Sequence, residues 1–174
     1  MNKEFKSYVV TVFSALIITI FILQFFSFYL VSGDSMEPTL NNNNYLIVRK
    51  SFLREKKYEK GDIVIFHTAV RNNLKDEKDL VKRIIAVPGD EIKIENNHVY
   101  INDQIIQEIY LKKDKTGGSL KMIVDEENYF VMGDNRKVSL DSRESSIGLV
   151  NQAEILGEVI IKMFPFEGIG DEIY

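Results

Sequence analysis

Cysteine is absent from the 174 residues. Disulfide staples, thiolate metal sites and cysteine nucleophiles, sortase-type chemistry included, are therefore excluded. Histidine is scarce: His67 and His98 stand far apart with no HExxH arrangement, so a zinc peptidase has no support. Positive charge is also in short supply. The net charge of −4 lacks the basic face of a nucleic-acid binder, and no nucleic-acid partner is expected. Internal repeats and low-complexity segments are missing too. What remains is 45% hydrophobic and 28% charged, an ordinary globular balance, in a length that suits one compact domain plus an appendage. A catalyst built from this chain works with Ser, Lys, Asp, Glu or Tyr.

The appendage comes first. Residues 8–23 are apolar apart from Thr11, Ser14 and Thr19, and after Gln24 the run resumes through residues 25–31, broken only by Ser27. About 20 such residues at a rise of ~1.5 Å cover the ~30 Å hydrocarbon core of a bilayer. A cleaved signal peptide has a shorter apolar region and a small-residue cleavage site. Here the exit is Phe28-Tyr29-Leu30-Val31, with no Ala-x-Ala, which predicts an uncleaved anchor over residues 8–31. Lys3 and Lys6 in the tail of residues 1–7 predict a cytoplasmic N-terminus by the positive-inside tendency. Residues 32–174 then form an exterior domain. Removing Lys3, Lys6 and Glu4 from the totals leaves that domain 20 basic and 25 acidic residues.

From Tyr45 the pattern turns to β. The runs 45–48, 62–66, 80–87, 128–132 and 159–164 are short, rich in β-branched or aromatic residues, and bounded by turn signals. His67 is expected to end the second run, and residues 71–79 to form a solvated charged loop. Pro88-Gly89-Asp90 stops the third run, and residues 91–103 read as a hairpin turning at Asn96-Asn97. Residues 116–119 read as a flexible loop. Many short strands at roughly even spacing predict an all-β domain of sandwich or barrel type.

Three clusters carry chemistry-capable residues. The first, residues 32–40, contains Ser35 on a stretch stiffened by Gly33 and Pro38. Alone it fits a turn or a helix cap as well as a nucleophile, so a base must come from elsewhere. The second is the 80–87 run. In a strand Lys82 shares a face with Leu80, Ile84 and Ala86, and burial there would lower its pKa and make it a base for a serine hydroxyl. Arg83 alternates with equally apolar neighbours, so periodicity leaves open which cation points inward; only lysine can deprotonate. In the third, residues 133–143, a Gly133-Asp134-Asn135 turn leads to Ser139, Asp141 and Arg143, which share one side of an extended chain.

Together, residues 32–40, Val81-Lys82-Arg83-Ile84-Ile85-Ala86-Val87-Pro88-Gly89-Asp90 and 133–143 resemble the bacterial type I signal peptidases of the single-span, Gram-positive kind. The likeness runs from the anchor to Phe166. It implies a mainly β protein, an antiparallel sandwich or barrel-like catalytic domain preceded by one transmembrane helix, with a small accessory region at about residues 91–125. It also implies a Ser/Lys dyad: Ser35 as nucleophile, Lys82 as general base, Ser139 orienting the amine, and Asp141 with Arg143 supporting the site. Asp134 and Arg136 fall on structural motif positions. The implied reaction removes signal peptides from exported preproteins after a small-x-small sequence, at the cell membrane, with no metal or other cofactor. Met36 and nearby apolar residues are expected to rest on the lipid bilayer, and Leu40, Leu80 and Val81 to line the pocket for the residue before the cut. The chain departs from some members at Gly33, where they carry a hydroxyl as second oxyanion donor.

Two other classes compete. A membrane-anchored binding domain needs no such set as Ser35, Lys82 and Ser139. A self-cleaving Ser/Lys repressor-type protease needs a DNA-binding domain where this chain has its span.

Overall fold

The computed structural model describes residues 3–53, 57–71, 77–111 and 115–163. A single helix, α1 (Lys3–Phe25), opens the chain. It is 23 residues long, or about 35 Å at 1.5 Å per residue, and none of its side chains is buried. By length and composition it can cross a membrane. Its hydroxyls are satisfied locally: Thr11, Ser14 and Thr19 each donate to the carbonyl four residues back, at 2.8–3.0 Å.

The remaining elements are strands: β1 (Phe26–Leu30), β2 (Tyr45–Lys50), β3 (Ile63–Arg71), β4 (Glu77–Ala86), β5 (Glu91–Glu95), β6 (His98–Ile101), β7 (Gln104–Ile105), β8 (Leu120–Ile123), β9 (Asn128–Met132), β10 (Val150–Asn151) and β11 (Ile155–Met163). They build a seven-stranded sheet, in the order β1-β2-β11-β3-β4-β9-β10, and a four-stranded sheet, β7-β6-β5-β8. Every pairing is antiparallel. The mainly β fold with one N-terminal apolar helix is as expected. Residues 91–123 form the second sheet.

Two expectations need correction, and the exit of the apolar run takes a form of its own: residues 26–30 are strand β1, paired with β2 from Phe26↔Arg49 to Leu30↔Tyr45. Its aromatic side chains suit a sheet as well as a helix, and β2 supplies the backbone partners. His67 does not end a strand, since β3 continues to Arg71, and residues 77–79 belong to β4. The pairs Phe66↔Leu80 and His67↔Asp79 extend the ladder into what reads as a charged loop. Residues 72–76, 164 and 166 lie outside the described part. Residues 116–119 carry no regular structure, but Thr116 is 1% exposed and held by Arg136.

β4 runs through the middle of the large sheet and feeds every part of the core. Val81 packs on Val31, Met36, Leu40, Leu46, Val48, Ile63, Ile65 and Val159. Ile84 lies with Phe66, Tyr129 and Val131. Ile85 and Ala86 join Phe130, Met132 and the inner face of the second sheet, Ile92, Ile94, Val99 and Ile101. Alternation along β4 puts Val81 and Ile84 on opposite faces, and a register shift between Ile84 and Ala86 against β9 brings consecutive Ile85 and Ala86 into one cluster.

The large sheet closes tightly where β11 meets β2. A Cβ on Gly157 would overlap the Arg49 carbonyl oxygen and lie 2.7 Å from Val48 Cγ1. Backbone cannot yield as a flexible side chain can, so Gly157→Ala is expected to destabilise the fold by about 1–3 kcal/mol. Thermal unfolding of the two proteins side by side measures it.

Candidate active site

Ser35 lies on the loop between β1 and β2, and the loop is pinned from both ends. Val31 N–H donates to Asn44 O and Asn43 N–H to Val31 O, both at 2.9 Å, closing residues 31–44 into a ring. Inside it, Met36 is 1% exposed and Leu40 0%, both embedded in the core. Met36, expected to face a bilayer, and Leu40, expected to line the pocket, thus present almost no surface in this structure, each fastening the loop to β2 and β3. Leu80 and Val81 are half-buried and keep part of their surface open. Gly33 N–H is taken by Asn42 Oδ1 at 3.0 Å. Ser35 N–H has no hydrogen-bond partner among the described residues.

Lys82 reaches this loop from β4. Its Nζ lies 2.7 Å from Ser35 Oγ and donates to Val81 O at 2.9 Å. The residue is 2% exposed, and burial pushes its pKa down to about 8, against the opposing pull of the Asp141 and Asp134 carboxylates. The neighbouring cation points the other way. Arg83, 1% exposed, grips Asp134 through Nε at 2.9 Å and a terminal nitrogen at 2.7 Å, and donates to Gly61 O. Thr39 Oγ1 donates to the same carboxylate. Periodicity left open which cation points inward, and both are buried, each with its own partners: a buried guanidinium requires a carboxylate, whereas a buried amine can lose its proton.

The third cluster wraps around Gly133. Its N–H is shared between Ser139 Oγ and Asp141 Oδ2, each at 3.1 Å. Asp141, fully buried, forks onto Arg143 through contacts of 2.8 and 3.0 Å. Arg143 reaches back to Arg136 O at 2.8 Å. Asn135 N–H donates to Ser35 O at 3.0 Å, tying this turn to the Ser35 loop. Ser35, Lys82, Ser139, Asp141 and Arg143 therefore converge. One expected contact differs: the hydrogen-bond partners of Lys82 Nζ are Ser35 Oγ and Val81 O, while Ser139 Oγ meets the Gly133 amide. Among the described residues no cluster of His, Asp or Glu could hold a metal.

A buried amine against a loop serine on a β scaffold prompts comparison with known proteins. A family model described as "Signal peptidase, peptidase S26" matches residues 5–164. The chain belongs to the signal peptidase S26 family. It is a serine endopeptidase, as that family is. Signal peptidase I U of Bacillus subtilis is 36% identical over 179 residues, covering 95% of this chain and 92% of the relative. Signal peptidase IB of Staphylococcus aureus is 32% identical over 185 residues, covering 95% and 93%. The crystal structure of a signal peptidase I from Enterococcus faecalis superposes with a TM-score of 0.49 at 29% identity, over 59% of this chain and 97% of that one.

Within this signal peptidase scaffold, sequence reading missed Gly133 as a packing site, together with Thr39, Glu108 and Tyr110. Gly-Asp-Asn signals a turn, but only the fold reveals what presses on it. A Cβ at Gly133 would overlap Ser139 Oγ and the Ser35 carbonyl oxygen and lie 2.7 Å from Ser139 Cβ. Gly133→Ala is accordingly expected to displace Ser35 and to lower peptidase activity by about 10²-fold. Initial rates on a model preprotein, normalised to folded protein by circular dichroism, test this.

Proposed function

We propose that this serine endopeptidase removes signal peptides from exported preproteins with Ser35 as nucleophile and Lys82 as general base. The observation that carries the reading is the 2.7 Å approach of a buried amine, lowered to a pKa of about 8, to a loop hydroxyl. The neutral amine takes the Ser35 proton as Oγ attacks the scissile carbonyl carbon. The oxyanion that forms is received by the unpaired Ser35 N–H. The new Lys82 ammonium is steadied by Val81 O and the fields of Asp141 and Asp134, then protonates the departing amine. An ester to Ser35 remains. Lys82, neutral again, takes a proton from water as the water oxygen attacks the ester carbonyl, then returns that proton to the departing Ser35 Oγ, which releases the carboxylic acid and restores the starting pair. Asp141 with Arg143 supports the site structurally, and Ser139 acts on it through the Gly133 amide.

Substrate is read as an extended strand whose backbone pairs with a sheet edge. Leu80 and Val81 contribute the walls of the pocket for the residue before the cut. Beneath Val81 the space is already filled by Met36 and Leu40, which favours a small side chain there and supports a small-x-small cleavage motif.

The same reading places α1 in the cell membrane, N-terminus in the cytoplasm and both sheets outside. Lys3 and Lys6 support the orientation. A row of Leu30, Tyr45 and Met163 crosses β1, β2 and β11, and a second row of Phe28, Ile47 and Ile161 lies beside it. All but the half-buried Ile47 are at least 38% exposed, an apolar surface continuous with the end of the span that suits lipid.

Ser35→Ala and Lys82→Ala are each expected to lower cleavage of a labelled preprotein by at least roughly 10³-fold. Retention of activity in both would overturn the dyad. Because the base must be neutral, the native rate should rise with pH through about 8 and level off above it. For the lipid contact, Phe28→Glu with Leu30→Glu is expected to slow cleavage of a bilayer-inserted preprotein while sparing a short soluble peptide; equal losses on both substrates would argue against it.

A further inference from the structure

Two residues of the segment after β7 reach into the site from behind. Glu108 and Tyr110 turn inward, while Ile109 between them is 85% exposed. Glu108 Oε1 pairs with Arg136, whose side chain is 0% exposed, and accepts from Tyr110 Oη at 3.2 Å. Glu108 Oε2 accepts from Thr116 Oγ1 at 3.4 Å, and Arg136 donates to the same threonine. The Tyr110 ring stacks on the Arg83 guanidinium at 4.2 Å and lies 5.9 Å from that of Arg136. Burial and Glu108 push the Tyr110 hydroxyl above its ordinary pKa, so it stays a donor.

Each arginine leads to one half of the catalytic pair. Arg136 Nε donates to Gly133 O at 3.0 Å, and the Gly133 turn abuts the Ser35 carbonyl and holds Ser139 and Asp141. Arg83 sits next to Lys82 on β4 and holds Asp134, which also receives Thr39 from the nucleophile loop. We propose that Glu108 and Tyr110 are positioning residues for the peptidase reaction: they fix Arg136 and Arg83 and thereby hold Ser35 and Lys82 at bonding distance. The segment joined to the second sheet is then part of the catalytic apparatus at one remove. A hydrogen-bonded buried network of this kind has high leverage, since losing one member leaves another charged and unpaired.

This rests on the Ser35/Lys82 reading, and the experiment separates the two. The full-length protein in detergent is assayed on a labelled preprotein, with kcat and KM resolved and kcat normalised to folded protein. Glu108→Ala and Tyr110→Ala are expected to lower kcat about 10-fold or more with little change in KM, as misplacement of reacting groups does. Glu108→Gln and Tyr110→Phe, which keep shape and stacking, should recover to within about three-fold of native kcat. Glu95→Gln, on the exposed face of β5, should match the native enzyme. Unchanged kcat in the folded alanine variants, or a rise in KM alone, overturns the proposal. Should the alanine variants fail to fold, Glu108→Asp decides: it keeps the charge but draws the carboxylate back from Arg136 by one methylene, so a fall in kcat at native KM supports the proposal and a native kcat overturns it. Activity surviving in Ser35→Ala and Lys82→Ala would instead overturn the dyad itself.

Discussion

Two adjacent cations on a central strand have been taken out of water, one on each side of it. Neither burial is cheap, and the chemistry of the two groups dictates how each is accommodated. Arg83 keeps its charge at any accessible pH and must be met by a carboxylate, which Asp134 supplies with two contacts and Thr39 completes. Lys82 can shed its proton, so its surroundings need offer only a hydroxyl and a carbonyl. From consecutive residues one strand thus builds a permanently charged, rigid side and a side whose charge can be shed. The surrounding elements follow from this division: the ion pair anchors the turn at Gly133, and the titratable side faces the serine.

The Ser35 loop has little regular structure, yet it is held as firmly as a strand. Met36 and Leu40 insert into the core, the asparagines at 43 and 44 close on Val31, and Asn135 takes the Ser35 carbonyl. These contacts come from separate parts of the chain. On the proposed dyad, preorganisation of this kind lets a weak nucleophile sit at hydrogen-bond distance from its base before substrate arrives.

Much of this was legible in the sequence for identifiable reasons. The strands around Val64, Ile84 and Val131 announced themselves through β-branched runs, and the Asn96-Asn97 turn through residues that tolerate the positive φ both adopt. Ser35, Lys82, Ser139, Asp141 and Arg143 stood out as residue types in a known order. The end of α1 did not, because Phe26 and Phe28 are equally apolar in helix and strand, and only pairing with β2 decides. Met36 and Leu40 looked like loop residues near a membrane, since burial of a loop depends on partners far along the chain. Glu108 and Tyr110 lie in a stretch that mixes apolar and polar residues with no clean strand or helix period. Their meaning comes wholly from Arg136 and Arg83, more than twenty positions away in sequence.

The junction at Phe25 and Phe26 leaves no tether between span and sheet. Helix gives way to paired strand in consecutive residues, and Lys50 of β2 grips the Leu23 carbonyl in the last helical turn at 2.9 Å. On the proposed reading, a domain mounted this way has little freedom to bob or swivel over a bilayer, and Ser35 works at a set altitude, like a blade clamped to a bench. On the proposed reading the moving partner is the preprotein, and the stretch of chain between its apolar segment and the bond to be cut serves as the gauge.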